Sequence, residues 1–410
     1  MEMNRRTLLG AAALPLAAAL PARAADDWDA VAAHYDVTRD VIQLEHGNWG
    51  LMPRPVLAEY RAQLDRVNRE TSFYARRTMP GDIAAARARL AAAMGVGVDE
   101  IAFTRNATEA LKTLILGYNR LRPGDGVLMA DLDYDSMQAC VAALASRRGV
   151  TVAKIALPEP ATYQGLIDAY AAAFDANPRL RMVLLTHVSH RTGLVLPVAE
   201  IARMARARGI DAIVDAAHGV GQIDVTLPAL EADFIGINVH KWLGAPLGVG
   251  ALYIKRGRVA DIDPDPAEPA DAPLAIHTRV HTGTVDFAAQ LTVPAALDFQ
   301  QAIGGAAREA RLRLLRDRWV DRVRDLPGIQ VLTPPDPRLH CAITSFRLTG
   351  RTTRAENMAL ARTLLDQHRI FTVHRDGLAS GSCVRVTPAL MTRLDEVDTL
   401  ADALRTISRA

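Results

Sequence analysis

Between Ile101 and Ile254 the chain alternates short apolar runs with helix-patterned stretches, and this alternation limits the fold more than any other feature. The runs fall at 101–104, 126–129, 150–157, 182–186, 210–215, 234–238 and 250–254, with helical stretches such as 164–176 and 198–208 between most of them. Runs that are apolar throughout, and separated by helices, predict an α/β layer architecture with a largely parallel sheet covered on both faces. In such sheets a ligand site belongs at the carboxyl ends of the strands. Thr108, Tyr134, His190, Asp215 and Lys241 all follow such ends.

The stretch 211–250 concentrates the chemistry. It holds an apolar run ending in Asp215, the tetrad Asp215-Ala216-Ala217-His218, a second run, then Asn238-Val239-His240-Lys241-Trp242 and a glycine-rich turn. Lysine is scarce: only Lys112, Lys154, Lys241 and Lys255 occur among 48 basic residues. Lys112 lies in a helical pattern, and Lys154 and Lys255 sit at ends of apolar runs where the side chain reaches solvent. Lys241 alone follows a strand and a histidine. A shielded amine there, able to lose its proton, is what a Schiff base requires. Upstream, Asn106 is a good N-cap, and the amides of Ala107 and Thr108 with the Thr108 hydroxyl offer an anion site, or merely a capped helix. Tyr134 stands where a ring stacks on a planar ligand, or covers the end of the sheet. Taken together, an acidic residue, an anion site, an aromatic ring and a lysine ask for a planar cation, a phosphate and a carbonyl in one molecule. Pyridoxal 5'-phosphate (PLP) has all three, with Asp215 on the ring nitrogen and Lys241 on the aldehyde.

Half of the 410 residues are apolar and 23% are charged, enough for two globular domains. A formal charge of +2, without a basic stretch carrying interleaved aromatics, speaks against nucleic-acid binding. Residues 1–24 read as a signal peptide: Arg5-Arg6 precede an apolar run to Leu20, and Ala22-Arg23-Ala24 offers a cleavage site. The paired arginines suggest the twin-arginine route and a periplasmic destination, and an ordinary secretion signal is the alternative. After it, no segment is long and apolar enough to cross a membrane. Cys140, Cys341 and Cys383 are widely spaced, form no metal-ligand pattern, and read as small buried residues. The loop Glu45-His46-Gly47-Asn48-Trp49-Gly50 lines a site or is only a turn. Helices are expected on either side of 72–81 and, as one long element, over 293–326; 261–273 reads as an exposed loop. Beyond it an α+β region carries strands near 341–348, 370–373 and 383–387.

The order and spacing of these residues resemble the class V aminotransferase group of fold type I PLP-dependent enzymes, with most likeness to isopenicillin N epimerase-like proteins. The resemblance implies a large PLP-binding domain over 51–295 and a smaller domain over 296–410, to which 25–50 contributes. It implies that Asp215 binds the pyridine nitrogen, His218 contacts the ring hydroxyl, Asn238 and His240 bind phosphate with Asn106, Ala107 and Thr108, and Tyr134 stacks. Thr284, in Gly283-Thr284-Val285-Asp286, matches a threonine that reaches the phosphate of a neighbouring subunit, hence a homodimer with shared sites. Arg385 matches the arginine that receives a substrate carboxylate, and Asn48 is a further substrate-binding candidate. Asn238 replaces a more usual serine or threonine. His190 replaces a frequent asparagine, as a ring contact, a proton carrier or a histidine satisfied by backbone. Residues 347–382 lack the reactive cysteine of desulfurases, which speaks against that activity.

The implied activity is at the amino group or Cα of an amino acid or amino-acid-containing peptide. Epimerisation, transamination, elimination and oxidative decarboxylation all remain open, with His190, His46 and Tyr74 as candidates for a second proton carrier beside Lys241. Exported relatives that modify a siderophore glutamate side chain give a second reading. A periplasmic binding protein that kept the fold without the chemistry is a third. Gly219-Val220-Gly221 is only a fragment of a nicotinamide fingerprint and lacks its third glycine.

Overall fold

The computed structural model describes residues 27–268 and 274–409. Residues 1–24, expected from the sequence to be a signal peptide, lie outside them. Seven strands form the central sheet: β1 (Ile101–Thr104), β2 (Gly126–Ala130), β3 (Thr151–Ile155), β4 (Leu180–Thr186), β5 (Asp211–Asp215), β6 (Phe234–Asn238) and β7 (Gly250–Ile254), in the order β1-β7-β6-β5-β4-β2-β3. All adjacent pairs are parallel except those made by β7, which runs antiparallel to both β1 and β6. The expected mostly parallel sheet is therefore present.

Alternation along the strands divides the core. Leu128, Val183, Leu185, Val214, Ile235 and Ile237 point to one face, where they join Leu90, Leu166, Tyr170 and Ile201 from three helices. Their sequence neighbours Val127, Met129, Met182, Leu184, Ile213 and Phe234 point to the other, against Leu111, Leu114, Met137 and Val141. With both faces covered, inner strands carry no polar alternation, which is why they read as continuous apolar runs. The edge strand β3 is more open, and Lys154 on it is exposed. Lys255 is exposed too and pairs with Asp233 at 3.2 Å.

A second, antiparallel sheet contains β8 (Ile329–Val331), β9 (Thr344–Leu348), β10 (Val373–Arg375) and β11 (Cys383–Val386), in the order β10-β11-β9-β8. It packs its own core around Trp319, Phe346, Val384 and Leu400. The run expected at 370–373 is split. Ile370–Phe371 pairs in parallel with Ile42–Gln43, and only Val373–Arg375 joins the four-stranded sheet. An isolated parallel bridge from Glu45 to Thr387 continues this attachment. It lays the loop 45–50 beside β11.

Two helix expectations need correction. Residues 72–77 are helical, within Arg54–Arg77; the interruption is a kink at Thr71 (φ 47°, ψ −133°), and Met79–Met94 follows after Thr78 alone. The expected helix over 293–326 is two, Val293–Ile303 and Gly305–Val320, broken at Gly304 with φ 90°. A side chain at Gly305 would bring Cβ within 1.8 Å of Asp224 Oδ1, so the break seats the second helix against the 218–225 turn. Among the described residues no helix is long and apolar enough to cross a membrane, and no cluster of metal-ligating side chains occurs.

Candidate active site

A cavity of about 760 Å³ opens at the carboxyl ends of β1, β2, β4, β5 and β6. Its lining includes Asn106, Ala107, Thr108, Tyr134, His190, Asp215, His218, Asn238, His240, Lys241, Arg385 and Asn48. Of the expected cofactor- and substrate-binding residues, only Thr284 lies outside it, exposed at the surface.

Lys241 sits just past β6, and its Nζ lies 2.8 Å from His218 Nε2. The backbone here is held from below: the Gly50 amide donates to the His240 carbonyl at 3.0 Å, and a Cβ at Gly50 would come within 1.8 Å of the Lys241 carbonyl oxygen. Only glycine allows the 45–50 loop to lie so close. Burial lowers the Lys241 pKa to about 7, with Arg385 adding to the fall and Asp215 opposing it. Asp215, at the end of β5, is buried, and its Oδ1 accepts the Ala217 amide at 2.9 Å. Oδ2 has no hydrogen-bond partner among the described residues and faces a cavity that a protonated ring nitrogen suits. Burial raises its pKa, and the Ala217 amide and Lys241 offset part of that.

Facing this pair is the N-terminus of the helix Ala107–Gly117. Asn106 caps it, its Oδ1 accepting the Glu109 amide at 2.8 Å. The Ala107 amide, expected as an anion donor, is instead taken by Asn238 Oδ1 at 2.8 Å. That bond ties β6 to the helix and leaves the Asn238 amide nitrogen, the Thr108 amide and the Thr108 hydroxyl for an anion at the positive helix end. A Cβ at Gly250 would lie 2.6 Å from Asn106 Cα, so the antiparallel β7 needs glycine where it starts beside this turn. His240 Nδ1 donates to the Val249 carbonyl at 2.8 Å. Neutral His240 therefore presents Nε2 as an acceptor, and it donates to an anion only when protonated, a state a phosphate favours.

Tyr134 and His190 meet edge to face, with centroids 5.1 Å apart at 88°. His190 is held by its backbone: its carbonyl accepts Arg385 Nη1 at 2.6 Å, while its ring Nδ1 has no partner among the described residues. Burial and the cations Arg191, Arg385, Arg375 and Lys241 hold its pKa well below the usual histidine range. His46 lines a separate small hollow behind Lys241, and buried Tyr74 donates to Asp82 Oδ2 at 2.7 Å, away from the cavity. Of the three candidate proton carriers, only His190 reaches the site.

Sequence reasoning missed the partners of Arg385. Glu45 Oε1 accepts from Arg385 Nη2 and, at 2.9 Å, from Arg375 Nη2. Arg375 also lines the cavity. Burial lowers the Arg385 pKa to about 10, and Glu45 opposes the fall. Beneath Asp215, Asp133 accepts from Thr186 Oγ1 and the Ala130 amide, each at 2.7 Å, and burial raises its pKa to about 7. Cys341 and Cys383 are buried with raised pKa values, and no cysteine lines the cavity.

Residues 51–400 match the family described as Aminotransferase class-V. Isopenicillin N epimerase from Streptomyces clavuligerus is 32% identical over 394 residues, covering 92% of this chain and 98% of that protein. The enzyme of the same name from Amycolatopsis lactamdurans is 31% identical, covering 90% and 96%. Among solved structures, apo cysteine desulfurase from Thermococcus onnurineus NA1 superposes with a TM-score of 0.79 at 20% identity, over 93% of this chain and 98% of that one. The architecture is that of the fold type I PLP-dependent transferases, and the match over 51–400 with the length of the epimerase alignments places the chain in the class V aminotransferase family.

Proposed function

We propose that the chain is an exported PLP-dependent enzyme acting at the amino group or Cα of an amino acid or amino-acid-containing peptide, in the manner of the isopenicillin N epimerases to which it is similar. The observation that carries this reading is Lys241 Nζ, 2.8 Å from His218 and close to buried Asp215, in a cavity whose far wall is a helix N-terminus. The residues present fit the cofactor. Asp215 has an unshared oxygen for the ring nitrogen, the Thr108 amide and hydroxyl are free for phosphate, and Lys241 has the depressed pKa of an attachment point.

When bound, PLP supplies an electron sink that weakens the Cα–H bond of an attached amino substrate. The protein's part is to position and to move protons. Arg385 receives the substrate carboxylate, Asp215 keeps the ring nitrogen protonated, and Lys241, as a free amine near neutral pH, takes up or returns the Cα proton. His190, held neutral by burial and the surrounding cations, is the second proton carrier in this reading, as a base besides the lysine, and inversion needs two carriers, which favours epimerisation. Desulfurase chemistry is disfavoured because no cysteine reaches the cavity.

The enzyme is read as a homodimer. Thr284 is exposed, and Trp49, Phe73 and Leu247 are exposed apolar side chains, two of them close in sequence to cavity residues. Incubation of the holoenzyme in deuterated water with a panel of L-amino acids and peptides with free N-termini tests the reading. Deuterium at Cα, absent with Lys241→Ala, is the expected result. Exchange that persists in that variant removes lysine from the mechanism.

A further inference from the structure

His218 has two ring nitrogens, and the structure gives each a different neighbour. Trp242 Nε1 donates to His218 Nδ1 at 3.3 Å, and Lys241 Nζ lies 2.8 Å from His218 Nε2. An indole N–H is only ever a donor, so Nδ1 is bare. A neutral imidazole keeps one proton, which therefore sits on Nε2 and points at Lys241 Nζ. An ammonium has no lone pair to accept it, whereas an amine does. The three side chains form a consistent chain only as Trp242 N–H to Nδ1, then Nε2–H to a neutral lysine nitrogen.

We propose that Trp242 is a positioning residue that locks His218 in its Nε2–H tautomer and thereby keeps Lys241 as the neutral amine. This deepens the cofactor reading given above and rests on it for its purpose. The lysine would stand ready to attack an aldehyde, and the same Nε2–H would be the donor offered to the cofactor's ring oxygen.

The surroundings are built to hold this arrangement. Trp242 packs against the apolar cluster of Val188, Val195 and Ile343. A Cβ at Gly221, where φ is +84°, would come within 2.9 Å of the Trp242 Cβ, so the turn after His218 closes on the tryptophan only with glycine there. Gln222 Nε2 donates to the His218 carbonyl at 2.7 Å, while its Oε1 accepts the Ala342 and Ile343 amides at 2.9 and 3.2 Å. Histidine and tryptophan are thus fixed from both sides. The charges facing Lys241 act in the same direction on balance. Arg385 from β11 and Arg375 from β10 disfavour the ammonium, and Asp215 from β5 and Glu45 from its loop favour it. His218 faces the same cations and His190, and its own protonation is strongly disfavoured by burial.

The test uses the full chain with cofactor removed and histidine labelled with nitrogen-15. Imidazole nitrogen shifts at pH 8, assigned by loss of the signal in His218→Gln, are expected to show a protonated Nε2 and a bare Nδ1. A protonated Nδ1 overturns the proposal, and this measurement needs no variant of Trp242. In Trp242→Phe the lock is gone. Nε2 can then accept from an ammonium, and the pH midpoint for reductive methylation of Lys241, followed by mass, is expected to rise by about one unit. An unchanged midpoint in a folded variant also overturns it. Failure of either leaves the cofactor assignment standing, because covalent trapping of PLP on Lys241 is read separately.

Discussion

Arg385 enters the cavity already paired with Glu45, and Glu45 holds Arg375 through the same oxygen at 2.9 Å. One carboxylate between two guanidiniums leaves one unbalanced positive charge. A substrate carboxylate would supply the second anion. Because Glu45 is buried, replacing it with Gln leaves two adjacent cations without their counter-ion, and Glu45→Gln is expected to cost about 2–4 kcal/mol in urea denaturation. No loss would show that the triad is stabilised by other means. Arg385→Lys keeps the charge and loses the planar fork, so KM for carboxylate substrates should rise roughly tenfold or more, with a smaller change for the corresponding amides.

Asn238 has a structural task that can be separated from phosphate contact. Its Oδ1 holds the Ala107 amide, so Asn238→Ala should destabilise the cofactor-free protein by about 1–2 kcal/mol. PLP affinity, followed by absorbance titration, should fall about tenfold as the helix end loosens. Unchanged stability would mean that the helix start is set without this bond.

Lys241 makes stability depend on pH. Its pKa falls from 10.5 to about 7 on folding, so between those values the unfolded chain binds the proton that the folded chain lacks. Stability of the cofactor-free protein therefore rises with pH through that window, and the cost of burying the amine is fully present below about pH 7. Lys241→Met should stabilise the protein at pH 6 by on the order of a few kcal/mol, and the gain should shrink as pH approaches 10. Denaturant midpoints at pH 6 and pH 9 give the comparison. An equal gain at both contradicts the assignment.

The proposal of export comes from residues 1–24 of the sequence. Replacing Arg5 and Arg6 together with lysine keeps the charge and should still block a twin-arginine route, leaving the protein in the cytoplasm on cell fractionation. A general secretory signal would tolerate that change, and export would continue.

The central sheet was legible because burial on both faces writes each strand as an apolar run, and the strand ends place the chemistry. Asp215, Lys241 and Thr108 follow from that rule without knowledge of distant contacts. Glu45 and Arg375 do not, because they lie 330 residues apart and meet through the pairing of Ile42–Gln43 with Ile370–Phe371 and the bridge from Glu45 to Thr387. No local period announces such a contact. Trp242 was visible beside Lys241, but its partner is set by how the turn at Gly221 folds back. The helix break at Gly304 was missed because a single glycine in an alanine-rich pattern does not by itself end a helix. Here the second helix must also approach Asp224, which the sequence could not reveal.

Covalent trapping of the cofactor tests the account most directly. Absorption spectra of the purified protein with PLP, before and after borohydride reduction, are followed by peptide mapping by mass. The account predicts a visible band that disappears on reduction, with the pyridoxyl group on Lys241 and on no other of the four lysines. A protein that gives no reducible band with added PLP, or that carries the label on a different lysine, contradicts it.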